Sequence, residues 1–290
     1  MKIDFLIILN RLNNVTVKSV LITGSSTGIG RATAELLASK GFHVYAGVRE
    51  DVDMQSLAKI QNITPVKLDV TKKSDVNEVF ELISGGSNKL FGLINNAGIT
   101  RPGPLMDTSE EEFRDHLDIN IMGVHRVTKT FFPMILSSRG RIIMVGSFFG
   151  ALAFPFSGSY SASKAALEIY IDTLRRELLT ISDDVKVINI WPGPIKTEVW
   201  RKSLIAAKKY NDLSSIFTET FQKFMSIPRA PHVEPEEVAQ AILKSLTTKK
   251  PKIKYSPGMK KFPFRRLKYF PATWVDKFLQ RGVKRQIKSS

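Results

Sequence analysis

The chain has 290 residues, 43% of them hydrophobic and 24% charged, with no cysteine and a formal net charge of +16. This is the composition of a folded globular protein long enough for one sizeable core, and it excludes disulfides and thiolate metal sites. The four histidines, His43, His116, His125 and His232, have no metal-ligand spacing, so no metal site is expected.

Residues 1–16 carry a short apolar run, FLIIL at 5–9, too short for a signal-peptide core or a membrane span, and they read as an N-terminal arm. Residues 17–23 form an apolar, β-branched strand that enters Gly24-Ser25-Ser26-Thr27-Gly28-Ile29-Gly30, followed by helix formers over 28–40. Strand, glycine turn and helix in that order suit a pyrophosphate resting on a helix N-terminus. An NTPase phosphate loop would need Lys-Ser/Thr after its last glycine, and Ile29-Gly30-Arg31 follows Gly28 instead. Further strands are predicted over 43–48, 64–68, 90–94, 141–145 and 186–191, with helices over 73–83, 109–136 and 161–180. The last helix places Leu167, Tyr170, Ile171, Leu174 and Leu178 on one stripe. This alternation implies an α/β fold, a doubly wound parallel sheet of Rossmann type. It makes a single domain over 17–250 with a basic C-terminal extension over 251–290.

Tyr160 and Lys164 lie one helical turn apart in Ser-Tyr-Ser-Ala-Ser-Lys, and Ser147 stands thirteen positions before the tyrosine, directly after a strand. An ammonium beside a phenol favours the phenolate, so the Tyr160 pKa is expected to fall below its ordinary value of about 10. A serine hydroxyl alongside can hold the oxygen of a carbonyl or alcohol. These are groups for moving a proton on and off oxygen.

Together these residues resemble the short-chain dehydrogenase/reductase family, in particular its retinol- and hydroxysteroid-dehydrogenase-like members. Further landmarks of the family follow in its order: Asp69-Val70, Asn95-Asn96-Ala97-Gly98, Asn120, and Pro192-Gly193 with Ile195 and Thr197. The likeness spans about residues 17–200. It implies Ser147, Tyr160, Lys164 and Asn120 as catalytic residues. It implies a cofactor site of Gly24, Ser25, Ser26, Thr27, Gly28, Ile29, Gly30, Asp69, Val70, Asn96, Pro192, Gly193, Ile195 and Thr197, with Tyr160 and Lys164 shared between the two sets. Lys164 would also hold the nicotinamide ribose, and Asn120 a water linking Lys164 to solvent.

The acid that binds the ribose hydroxyls of NAD is replaced at the end of the second strand by Val48, and Arg49 follows. A guanidinium there matches a 2′-phosphate, so NADP(H) is the expected cofactor, with NAD(H) the alternative. In the family the segment after Pro-Gly covers the substrate. Here that lid, residues 198–231, carries Val199, Trp200, Leu204, Ile205, Leu213, Ile216, Phe217, Phe221, Phe224 and Met225, and Phe148, Phe149, Phe154 and Phe156 flank the catalytic positions. Such a wall suits a hydrophobic, steroid-, retinoid- or fatty-type carbonyl or alcohol.

Residues 249–290 hold fourteen Lys or Arg against one acid, Asp276, whereas the other 248 residues are nearly balanced. Apolar Trp274, Val275, Phe278 and Leu279 recur there at helical spacing among Lys277, Arg281, Lys284 and Arg285. The segment reads as a cationic amphipathic helix for an anionic membrane surface, with packing on the lid as the competing arrangement. A cytoplasmic protein peripheral on a membrane is expected from these readings, and the family resemblance implies a homodimer or homotetramer. Other activities considered are an NAD(H)-dependent alcohol dehydrogenase, a 3-oxoacyl-carrier reductase, and a nucleotide-fold binding protein acting through its tail. Nucleic acid is a weak candidate partner because no recognition fold accompanies the charge. A serine hydrolase is set aside because no histidine lies in a plausible triad region.

Overall fold

A computed structural model describes residues 17–86, 88–195, 198–210, 215–226, 233–259, 266, 267 and 269–289, so the expected N-terminal arm lies outside the described residues. Seven strands build one sheet: β1 (Ser19–Ile22), β2 (His43–Val48), β3 (Ile63–Lys67), β4 (Leu90–Asn95), β5 (Arg141–Val145), β6 (Lys186–Ile190) and β7 (Lys254–Tyr255). Their order is β3-β2-β1-β4-β5-β6-β7, and every pairing is parallel. Parallel strands buried on both faces must be almost wholly apolar, and β1 and β5 are buried at every position.

Alternate residues of each strand feed opposite cores. Leu21, Leu93 and Ile142 join α3 (Lys73–Ser84), α5 (Val124–Ser137) and α6 (Gly158–Leu179) on one face. Val20, Ile22 and Ile143 join α1 (Gly28–Ser39), α2 (Asp51–Leu57) and α9 (Pro235–Thr247) on the other. The expected stripe on α6 is a core stripe: Leu167, Ile171 and Leu178 are buried, and Tyr170 and Leu174 pack against them.

The single helix expected over 109–136 is divided. α4 (Glu110–Leu117) gives way to a π-helical turn at Asp118–Gly123 before α5 begins. A π-bulge adds a residue to the turn and re-aims what it carries, here bringing Asn120 wholly into the interior. Three further helices complete the chain: α7 (Glu198–Ala207), α8 (Thr218–Ser226) and α10 (Ala272–Ser289). Strand β7 and the buried Met259 lie past residue 250, where the sequence suggested that the extension begins. The strand order reverses between β1 and β4, and a crevice at such a switch point is where open parallel sheets take their ligands.

Candidate active site

The glycine turn occupies that switch point. Gly24 has φ +68° and Gly28 φ +58°, a region open to glycine. A side chain on Gly30 would put its Cβ 2.1 Å from the Gly24 carbonyl oxygen and 2.6 Å from Asn96 Nδ2, so only glycine lets α1 start this close to the strand end. Asn96 fastens the cradle, donating from Nδ2 to the carbonyls of Thr23 (3.0 Å) and Gly24 (2.9 Å). Helix α1 has no acidic residue in its first turn, and the Thr27 side chain does not cap it, so its N-terminal N–H groups are left for an anion. These residues fit the pyrophosphate of a dinucleotide.

Ser25 lies in the turn as expected, but its side chain is buried and donates inward to Ile22 O at 3.0 Å. Ser26, Thr27 and Ile29 stay partly exposed on the turn. Arg49 is exposed at the end of β2, and Asp51 pairs with Lys67 instead of with it. Asp69 accepts from the Thr71 N–H (3.0 Å) and hydroxyl (2.8 Å). Burial alone would raise its pKa, but those bonds and the positive charges of Arg49 and Lys72 outweigh burial and lower it. Val70 is buried, and its carbonyl accepts from Arg126. Across the crevice Gly193 N donates to Pro257 O at 3.0 Å, and Ile195 bridges to Val233. Pro192 is buried beside them, and Thr197 lies outside the described residues.

Ser147 leaves the end of β5 in extended conformation, and its oxygen accepts from Phe149 N at 3.2 Å. Its proton is thereby left for the neighbouring phenol of Tyr160, whose pKa the serine hydroxyl lowers. Tyr160 sits in the first turn of α6. Two hydrogen bonds in series hold it: Ser163 Oγ donates to Tyr160 O (2.7 Å), and Asn120 Nδ2 donates to Ser163 Oγ (2.9 Å). Asn120 also exchanges bonds with the Ile99 backbone, at 2.9 and 3.0 Å. Gly98 lies between Asn120 and Lys164, where a Cβ would meet Asn120 Oδ1 at 3.0 Å and Lys164 Nζ at 3.7 Å.

The electrostatics differ from the sequence expectation. Lys164 Nζ donates to Val145 O at 3.0 Å and stands 5.9 Å from the centre of the Tyr160 ring, not against the phenol oxygen. Burial therefore dominates at Tyr160 and raises its pKa, with only the Ser147 hydrogen bond pulling it down. Burial likewise lowers Lys164 to about 8, opposed by the charge of Glu168. The pair thus begins as a neutral phenol beside an amine that titrates near working pH.

Aromatic rings wall the site. Phe149 packs edge-on to Tyr160 (5.8 Å between centroids) and tilted against Phe154 (4.9 Å), and Phe148 is buried against Trp191 (5.3 Å). Phe156, four residues before the tyrosine, holds φ +64°, a strained value for a bulky residue. It is clamped by Phe221 (5.3 Å) and Phe224 (5.0 Å) of α8.

Residues unremarked in the sequence fasten the lid. Ser203 on α7 donates to Thr100 O at 2.7 Å, and Tyr210 donates to Glu112 Oε2 at 2.7 Å, with Lys209 on the same oxygen. A Cβ on Gly103 would fall 2.4 Å from the Tyr210 ring, so the lid rests directly on that loop. Of the expected apolar lid residues, Phe221 is buried, while Leu204, Ile205 and Ile216 are exposed. Glu112 is one of three consecutive acids and Tyr210 lies 98 residues away, so no local pattern announces the pair.

A parallel sheet with a glycine cradle at its switch point, and a phenol–hydroxyl–amine group across the crevice, defines an oxidoreductase working with a dinucleotide. Residues 18–207 match the family model for short chain dehydrogenase. The 3-amino-tetrahydro-pyrrolizinone reductase of Xenorhabdus hominickii is 38% identical over 218 residues, covering 73% of this chain and 75% of that protein. The NADPH-dependent 3-dehydrocapnine reductase of Ornithobacterium rhinotracheale is 30% identical over 286 residues, covering 94% of this chain and 100% of the other. A solved short chain dehydrogenase of Burkholderia cenocepacia J2315 in complex with NADP aligns at a TM-score of 0.69 and 27% identity, over 87% of this chain and 92% of that one. The chain belongs to the short-chain dehydrogenase family, and it is an NAD(P)-dependent oxidoreductase of CH–OH groups.

Proposed function

We propose that this protein interconverts a hydrophobic carbonyl of steroid, retinoid or fatty type and its alcohol with NADP(H), Tyr160 exchanging the proton at the substrate oxygen. The observation carrying this reading is the Ser147 hydroxyl set beside the Tyr160 phenol at the C-terminal end of β5, against the Phe149–Phe154 wall. NADPH, when bound, supplies the hydride that a carbonyl carbon accepts. Burial keeps the Tyr160 phenol protonated, the state from which it can donate, and Ser147 can turn its own proton to the same oxygen. Lys164, with a pKa near 8, can restore the phenol's proton, and Asn120 holds the turn of α6 in place through Ser163. The phosphate-bearing cofactor is favoured by Arg49, exposed at the strand end and without a carboxylate ion-pair partner among the described residues. The NADPH dependence of the Ornithobacterium relative supports the same choice.

The membrane part of the reading rests on α10. Val275 is buried and the helix lies against α8, while Tyr269, Phe270, Trp274 and Phe278 are 77%, 48%, 64% and 47% exposed, with Lys277 and Arg281 beside them. The helix thus packs on the lid and still turns an aromatic, cationic face outward, as a helix lying on anionic lipid does. No helix among the described residues is long and apolar enough to cross a membrane. Pairing of two chains through α5 and α6 is supported by exposed Leu136, Ile169 and Leu179.

Side-by-side titration with NADPH and NADH, then a screen of ketones and aldehydes, tests the reading. Tyr160→Phe should bind NADPH as the wild type does and lose turnover at least a hundredfold, within the range general acid catalysis supplies. Full turnover in that variant would overturn the proton-donor role.

A further inference from the structure

We propose that Glu168, held by Lys254 of the last strand, is a positioning residue that sets the charge state of Lys164 and so the proton balance of the site. The inference rests on Lys164 acting with Tyr160, and it concerns a residue that acts through Lys164. Glu168 follows Lys164 by one turn of α6, on the same face. Its side chain is 17% exposed. Oε1 accepts from Asn189 Nδ2 of β6 at 2.8 Å, and Oε2 accepts from Lys254 Nζ of β7 at 2.8 Å.

Gly146 is what allows this approach. A Cβ there would fall 2.7 Å from Glu168 Oε1 and 2.6 Å from Asn189 Oδ1, so a side chain at 146 would displace the carboxylate. Gly146 stands between Val145, whose carbonyl takes the Lys164 ammonium, and Ser147, which holds the phenol. The carboxylate is therefore seated under the strand end that supports both partners of Tyr160.

Among the described residues, the titratable groups beside Lys164 on its own helix are Tyr160 and Glu168, and β7 brings Lys254 onto the far side of Glu168. β5 offers the Val145 carbonyl and the Ser147 hydroxyl, the π turn Asn120, and β6 Asn189, all uncharged. Lys254 is itself steadied over the Trp191 ring, 4.4 Å from its centroid, and Trp191 packs on Phe148 next to Ser147. The ion pair thus points its negative end at Lys164 and its positive end toward the edge of the sheet. A purely structural staple between α6 and β7 would use the same contacts, but it would not make the two partners act on Lys164 with opposite sign.

That sign is the test. In protein carrying ¹³C-labelled lysine, the Lys164 Cε resonance, assigned by its loss in Lys164→Met, should titrate near pH 8 in the wild type. Glu168→Gln, which keeps an acceptor for Asn189, should lower the midpoint by roughly one pH unit, the size expected for one close charge. Lys254→Met, on the edge strand, should raise it. Midpoints unchanged in both variants, or moved in one direction by both, would leave only a staple and overturn the proposal. Turnover of Lys164→Met on a ketone from the screen separates the two levels. Activity retained there refutes the catalytic reading, whereas unmoved midpoints refute the role of Glu168 alone.

Discussion

Replacing Lys164 with Met should stabilise the cofactor-free protein at neutral pH, and the gain should disappear on the alkaline side. Burial lowers the Lys164 pKa from 10.5 to about 8, so below pH 8 the folded state carries an ammonium that the unfolded chain solvates better. Between those two values unfolding takes up a proton, and the wild type therefore becomes more stable as pH rises across the window. At 1.36 kcal/mol per pKa unit, the cost is about 3 kcal/mol at pH 7 and about 1 kcal/mol at pH 9.5. Urea unfolding of wild type and Lys164→Met at half-unit steps from pH 7 to 9.5 should show their difference narrowing by about 2 kcal/mol. The Val145 hydrogen bond and the packing lost in the variant add a nearly constant offset, and Tyr160 is common to both proteins. A difference that stays flat across those pH values would refute the assignment of a destabilised ammonium at this position.

Arg49→Gln should weaken NADPH binding about 10- to 100-fold by removing charge-assisted bonds, with NADH affinity unchanged; equal losses for both cofactors, measured by fluorescence titration, would argue against phosphate recognition. Gly30→Ala forces a methyl group to within 2.1 Å of the Gly24 carbonyl, so urea unfolding should show about 1–3 kcal/mol less stability and isothermal titration a weakened cofactor site. For the tail, Trp274→Glu combined with Phe278→Glu should abolish flotation on vesicles rich in phosphatidylserine while leaving turnover of a water-soluble ketone intact. Undiminished flotation would remove α10 from the membrane reading.

The local grammar of the chain carried most of the fold. Short apolar, β-branched runs announce β1 to β6, because parallel strands buried on both faces are mostly apolar. Strand β7 is only Lys254–Tyr255, a charged and an aromatic residue recruited by pairing with Asn189 and Ile190, and pairing partners 65 residues away leave no local trace. The π turn at Asp118–Gly123 is equally silent, since its residues fit an α-helical pattern and tertiary packing decides the difference. Ser147, Tyr160 and Lys164 were legible because two of them are neighbours on a helix and the third ends a strand. Their protonation was not. Spacing places Lys164 beside Tyr160, but burial sets the direction of both shifts, and the ammonium goes to the carbonyl of Val145. Glu168 carried a signal, its one-turn distance from Lys164, that reads as an ordinary helix-face acid until Lys254 and Asn189 are seen on its two oxygens.

The position of β7 has a consequence for how this chain can be shortened or fused. The sheet is finished by Lys254 and Tyr255, so β6 remains an open edge until those residues have left the ribosome. Nascent or clipped forms ending upstream of Lys254 expose the unpaired backbone of β6, a mostly buried strand and a ready template for intermolecular pairing. They also strip the cation from Glu168, so proteolysis there damages solubility and chemistry at one stroke.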